Sequence, residues 1–375
     1  MTPIAYLLAG TLALAAGLLA PIPAGADDQA PEIADLGPFS FDGGGQLDNL
    51  KMSFATHGTL NAAKDNAILV MHGYGGNRHM ADHLIGPGKA FDTERFFVVT
   101  PDTLGATQTG FPHSSSPTES GLKMAFPEYS YRDMVRAARK LIREHFGIEA
   151  LFAVAGISMG GEKVFHYALL PDARMKALVP IVGSASLWTS EAIFTFEQYF
   201  DILTHCAGWD GGAYEKNPQA CAGSALGSLV YSYYSREWWN DRIEDLQDYR
   251  AWEEKWGAGY LDVQDARDLY FLGRAAGKTT VAQTPGYDES LKKALGAIEQ
   301  PLLYAVNRQD QFLPPRDVEK EAALLPKARV AWIDSPAGHF MCCGDDPHAT
   351  WMLNAVIGDF LAEVRDGTAA EAGQD

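Results

Sequence analysis

A serine hydroxyl becomes a nucleophile when a turn holds it beside a base, and the base needs a carboxylate to orient it. Gly156-Ile157-Ser158-Met159-Gly160 fits the G-x-S-x-G pattern of such a turn. The glycines are required because side chains two residues either side would collide at a sharp strand-to-helix bend. The pattern alone is common, and its setting is what gives it weight. "ALFAVAG" before it reads as a buried strand, and "MGGEKVFHYALL" after it as a helix. In sheets that carry this elbow the acid and the base follow the nucleophile, in that order, on loops after later strands. His339, in "SPAGHF", follows the last strand run and is the candidate base; His348, at the start of the final helix, reads as a surface or cap residue. Asp310, in "NRQDQFLPP", is the candidate acid. Its rival Asp334 ends the next strand, too near His339 to sit on a loop of its own.

An oxyanion formed at Ser158 needs fixed N–H donors. The backbone of Met159, at the start of the following helix, is one. The other is Tyr74, in the loop "MHGYGGN", where Gly73, Gly75 and Gly76 let the backbone come close to a substrate. His72 in this loop reads as structural. His79 and His83 have a spacing that suits a metal, but no helix or third ligand supports them. Neither a metal nor a cofactor is expected.

These residues need a scaffold. "AILVMH" (67–72) and "RFFVVTP" (95–101) are continuous apolar runs, as expected of strands buried on both faces, and "ALFAVAG" (150–156), "ALVPIVG" (177–183), "PLLYAV" (301–306) and "ARVAWID" (328–334) also read as strands. Residues 130–147 form an amphipathic helix with a glycine stop, and 347–365 a final helix. Strands alternating with helices predict an α/β fold with a mostly parallel sheet. "FSFDGGGQLDNLKMSFATHGTLN" reads as an N-terminal hairpin. Residues 186–296 lack strand runs and are rich in Trp, Tyr and acidic side chains, including Trp209, Trp238, Trp239, Trp252 and Trp256. They read as a helical lid inserted between a first core part (27–185) and a second (297–375), with the tryptophans forming the lid's own core, the favoured reading, or meeting an apolar or aromatic group of a substrate. The closing "DGTAAEAGQD" reads as a frayed tail.

The chain has 375 residues, 47% of them apolar and 21% charged, an ordinary globular composition. A formal charge of −18 argues against nucleic acid and anionic membrane surfaces as partners. The run from Ile4 to Ala20 is uncharged and leads to Ala24-Gly25-Ala26, the pattern of a secretory signal cleaved after Ala26. It lacks a basic residue ahead of it. An uncleaved anchor is the alternative, but the run is shorter than the ~20 residues of a membrane span. The mature protein is then secreted or periplasmic, with no membrane attachment. Cys206 and Cys221 lie where a disulfide could close. The vicinal Cys342 and Cys343 either brace the His339 loop by a disulfide or are free thiols.

With these residues in hand, the sequence resembles the homoserine O-acetyltransferase family of the α/β-hydrolase superfamily, from about Phe39 to Phe360. The stretches that carry the likeness include "FATHGTLNAAKDNAILVMHGYGG", "DTLGATQTGFPHSSSP", "FPEYSYRDMVRAARKLIREHFGI", "AGISMGGEKVF", "WDGGAY", "DQFLPP" and "AGHF". The resemblance implies an α/β-hydrolase fold, Ser158, His339 and Asp310 as a triad, and 186–296 as a lid over a deep tunnel. It also implies a homodimer through the lid helices. Two departures stand out. The family's lid carries an arginine for the amino-acid carboxylate, where this chain has Ser228 in "GSALGSLVYSYYS". An aspartate follows the family's histidine, where this chain has Phe340. Serine cannot supply arginine's two-pronged hydrogen bond, so a pocket for a zwitterion becomes neutral and more apolar.

The leading expectation is an exported serine hydrolase acting on a small ester, with an amide as the less favoured substrate and with water taking the acyl group. The alternative is an O-acyltransferase with a different acceptor alcohol. A non-catalytic binding protein is the third reading, which an intact Ser, Asp and His in order disfavours.

Overall fold

The computed structural model describes residues 32–369, apart from 107, 109–112, 188–189 and 257–263. The expected signal segment, part of "DTLGATQTGFPHSSSP", the Trp256 side chain and the last residues of the tail lie outside the described residues.

Ten strands form among the described residues. They are β1 (Glu32–Asp35), β2 (Phe39–Ser40), β3 (Gln46–Leu47), β4 (Lys51–His57), β5 (Ala67–Met71), β6 (Phe97–Pro101), β7 (Leu151–Ile157), β8 (Met175–Ile181), β9 (Leu302–Asn307) and β10 (Ala328–Ile333). Eight make one sheet in the order β1-β4-β6-β5-β7-β8-β9-β10, parallel from β6 to β10. Every residue of β5, β6, β7 and β9 is buried, which is why these segments read as unbroken apolar runs.

The expected N-terminal hairpin is only partly formed. β2 pairs with β3 antiparallel, but β4 leaves the hairpin and pairs antiparallel with β6. Met52 and Phe54 are fully buried there, and Phe54 meets the rings of His145 and Phe146. That burial outweighs local pairing.

The first helix, α1 (Tyr131–Lys140), is opened by a capping box in which Ser130 and Asp133 bond each other's backbone. It widens into a π turn over Leu141–His145 and stops at Gly147, whose φ of 64° favours glycine. α2 (Met159–Ala168) follows β7 directly.

Between β8 and β9 lie α3 (Ser190–His205), α4 (Gln219–Tyr233), α5 (Arg236–Asn240), α6 (Leu246–Trp256), α7 (Ala266–Ala276) and α8 (Leu291–Gly296). A Cys206–Cys221 disulfide spanning 15 residues ties the end of α3 to the start of α4; a loop of that length contributes about 3 kcal/mol. The indoles pack among themselves: Trp238 stacks on Tyr234 at 3.7 Å, and Trp239 and Trp252 close the cluster. α9 (Pro315–Ala322) and α10 (Pro347–Asp366) complete the chain.

Candidate active site

Ser158 sits between β7 and α2 with φ 53° and ψ −119°, a conformation L-residues rarely adopt. The neighbouring glycines make it possible. A Cβ on Gly156 would lie 2.2 Å from the Gly160 carbonyl oxygen, and one on Gly160 would lie 1.9 Å from that of Met71. Both contacts are prohibitive, so the two glycines of the motif are steric necessities.

The structure brings the three distant residues into one chain of hydrogen bonds. Ser158 Oγ lies 2.7 Å from His339 Nε2, and His339 Nδ1 lies 2.7 Å from Asp310 Oδ2. The other carboxylate oxygen, Oδ1, accepts the N–H groups of Phe312 and Leu313 at 2.9 and 2.8 Å. Those bonds fix the carboxylate beside the imidazole. Both members of the His339–Asp310 pair are buried, and Phe312 and Tyr233 flank the imidazole at 5.2 and 5.1 Å. Water is thereby kept from competing for the pair, which strengthens it.

The rivals are elsewhere. Asp334 is exposed and faces Arg308, and His348 is an exposed residue of the first turn of α10. His79 turns to Asp82 at 3.1 Å, and His83 is half-buried with its pKa lowered to about 4, chiefly by desolvation.

Met159 is the first residue of α2, so its N–H lies beyond the helix's own ladder of bonds. Tyr74 is positioned through its neighbours. His72 Nε2 accepts the Thr103 N–H at 2.9 Å, which places the ring's proton on Nδ1, where it donates to the Gly73 carbonyl at 2.8 Å. Gly76 N–H donates to the same carbonyl at 3.2 Å. In a trans peptide the Tyr74 N–H points opposite to that carbonyl. A Cβ on Gly73 would come within 3.1 Å of the Ser158 Cβ, so this peptide lies against the nucleophile. Burial, with help from Lys163, lowers the His72 pKa to about 3, so the ring stays neutral and keeps this pattern. The Tyr74 hydroxyl is tied to Tyr199 and to the Leu269 carbonyl, joining the loop to α3 and α7.

Two positioning groups escaped the sequence reading. Asn307 ends β9 and donates from Nδ2 to the carbonyls of Ser335 and Gly338 at 2.8 and 2.6 Å, linking the acid loop to the histidine loop. A polar residue closing an apolar strand run was its only signal. Tyr233, at the end of α4, packs against His339 and Phe340. The open cleft of about 690 Å³ between α1 and α7 contains none of Ser158, His339 or Asp310.

Among known proteins, the chain matches the alpha/beta hydrolase fold family over residues 66–345. It is 31% identical over 327 residues to a homoserine O-acetyltransferase of Trichormus variabilis, covering 80% of this chain and 86% of that protein. The chain belongs to the homoserine O-acetyltransferase-like family of α/β hydrolases. It is therefore an enzyme of the α/β-hydrolase superfamily. The solved structure of the acetyl esterase MekB superposes with a TM-score of 0.81 at 24% identity, covering 89% of this chain and 97% of that one. That of homoserine O-acetyltransferase from Bacillus anthracis gives 0.79 at 24% identity, covering 89% and 98%. At that identity both likenesses concern the fold.

Within this homoserine O-acetyltransferase-like frame the two departures take definite places. Phe340 is buried against Tyr233 and Tyr234, at 5.1 and 4.9 Å between rings. The Ser228 hydroxyl donates back to the Ala225 carbonyl in its own helix at 2.7 Å.

Proposed function

We propose that the chain is an exported serine esterase in which Ser158, His339 and Asp310 are the catalytic triad. The observation that carries this reading is the buried hydrogen-bonded line from Ser158 Oγ through His339 to Asp310 at a strained elbow. In the first half-reaction His339 Nε2 takes the Ser158 proton as Oγ attacks the ester carbonyl. Asp310 stabilises the imidazolium through Nδ1–H. The N–H groups of Met159 and Tyr74 receive the oxyanion, and His339 returns the proton to the leaving alcohol. In the second half-reaction water attacks the acyl-enzyme with the same base, releasing the acid and restoring Ser158.

Water is favoured as the acyl acceptor by the apolar Phe340 beside His339, by a Ser228 hydroxyl engaged within its own helix, and by the signal-like residues 1–26. An exported enzyme would be separated from cytosolic acyl-CoA donors. The helices between β8 and β9 would act as a lid, and the mature chain would begin at Asp27 in the periplasm or outside the cell. The substrate would be a small-molecule ester.

The test is release of p-nitrophenol from short acyl esters, abolished by Ser158→Ala. No release by the wild type, or equal release by the variant, refutes the reading. Acyl transfer to another alcohol is the second reading, favoured by the 31% identity to a curated homoserine O-acetyltransferase. Faster consumption of an acyl-CoA on adding hydroxylated acceptors would establish it instead.

A further inference from the structure

His339 is the second residue of a short 3₁₀ turn, Gly338–Cys343, that is capped by the left-handed Gly344. The last two residues of that turn are Cys342 and Cys343. Both are free thiols, with Cys342 buried and Cys343 half-buried. Their sulfurs lie 3.2 Å apart, and Cys342 Sγ–H donates to the carbonyl of His339 at 3.1 Å. The thiol pair thus touches the base's own backbone and is close enough for a bond, while the Cys206–Cys221 disulfide shows the other two cysteines already oxidised.

We infer that Cys342 and Cys343 are an oxidation site whose vicinal disulfide withdraws support from His339 and slows the chemistry at Ser158. The oxidant is a small-molecule disulfide such as oxidised glutathione. The thiolate of the more accessible Cys343 attacks one of its sulfurs, forming a mixed disulfide and releasing one thiolate. The Cys342 thiolate then attacks Cys343 Sγ and releases the second. In sum, two protein thiols and one external disulfide give one protein disulfide and two external thiols. The hydrogen bond with Cys342, and then burial, raise the Cys343 pKa, so the first attack is slow near neutral pH and quickens as pH rises.

The consequence for the base is geometric. A disulfide requires sulfurs about 2.05 Å apart, so the two side chains must turn further toward each other. An eight-membered ring spanning one peptide does not fit the helical dihedrals of this turn. The peptide between the two cysteines, and with it the Cys342 carbonyl, must also reorient. Cys342 loses its proton, and the His339 carbonyl loses a donor. The far end of the turn is pinned by Asn307 through Gly338, so the strain falls on the residues between, His339 among them.

This inference rests on the esterase reading of Ser158, and the experiment separates the two. The mature protein is equilibrated in glutathione buffers from reducing to oxidising. The state of the pair is read by thiol alkylation and peptide mass. Activity is read by ester hydrolysis and by the rate at which Ser158 takes a fluorophosphonate. The expected result is a disulfide between Cys342 and Cys343 that lowers both rates about tenfold, the scale of a small misplacement of a catalytic group, and is reversed by reductant. Cys343→Ser keeps the Cys342 bond to His339 and the Cys206–Cys221 disulfide. It should match the reduced wild type in every buffer. A pair that stays as thiols in oxidised glutathione, or a disulfide that leaves both rates unchanged, overturns the inference. Reduced protein that neither cleaves esters nor labels at Ser158 overturns the esterase reading, and this one with it.

Discussion

The side-chain amide of Asn307 donates to the carbonyl of Gly338 at 2.6 Å, so one residue at the end of β9 holds the loop from which His339 projects. The same side chain accepts the N–H groups of Gln309 and Ser335, so the acid loop and the histidine loop share one anchor. Asn307→Ala leaves buried carbonyls without a donor and frees the base to wander. We expect kcat on a p-nitrophenyl ester to fall about tenfold, equivalent to ~1.4 kcal/mol, with KM little changed. Steady-state kinetics on protein with an unaltered circular dichroism spectrum checks this, and a change confined to KM would contradict it.

Asp310 accepts from His339 Nδ1 and from two backbone N–H groups. Asp310→Asn preserves shape but presents an amide that stabilises the wrong tautomer of the imidazole. Loss of about 10⁴-fold in kcat is expected. Fluorophosphonate labelling of Ser158 should slow in parallel. A variant within tenfold of wild type would remove Asp310 from the triad.

His72 fixes the peptide whose N–H is Tyr74's, and its neutral ring does so from both nitrogens. His72→Ala is expected to cost kcat about 10²-fold, comparable to losing an oxyanion donor. Because its pKa is lowered to about 3, this ring should add no inflection to the pH–rate profile between pH 5 and 8. A profile whose limb near pH 6.5 vanishes in the variant would mean that the ring titrates in that range.

His166 lies at the far end of α2, with Nε2 3.0 Å from Thr279 Oγ1 and its pKa lowered to about 3, first by burial and then by Arg132. The unfolded chain binds this proton near pH 6.5 and the folded one does not, so unfolding takes up a proton between about pH 3 and 6.5. The contribution to stability is complete above 6.5 and is lost as pH falls through that window. His166→Gln should therefore reduce the slope of unfolding free energy against pH, between pH 4 and 6, by about 1.4 kcal/mol per pH unit. Urea titrations at several pH values measure it, and parallel slopes would show the ring to be protonated in the fold.

What could be read from the sequence followed from burial on both faces of the parallel strands. A run such as Ala67–Met71 has no polar position to mislead the eye, and the glycines around Ser158 are dictated by contacts inside a few residues. Chain order then pointed to Asp310 and His339, and the geometry joins them. β4 was harder, because alternation looks the same whether a strand closes a hairpin or crosses to a distant neighbour. Only the room beside β6 decides. Asn307 and Tyr233 act on a histidine loop 28 residues away or more, and a single polar or aromatic letter carries no trace of that. The Cys342–Cys343 pair was visible as two letters, but its free state and its bond to His339 are tertiary facts.

Tyr233 packs against the imidazole of His339, and the Tyr233 carbonyl lies 2.4 Å from where a Cβ on Gly338 would be. α4 and the histidine loop are therefore pressed together with no room for even a methyl group. If α4 swings aside to admit a substrate, it must first unpack the base. Admission and proton transfer would then occupy successive moments of the cycle, and the rate of reclosure would set a ceiling on turnover.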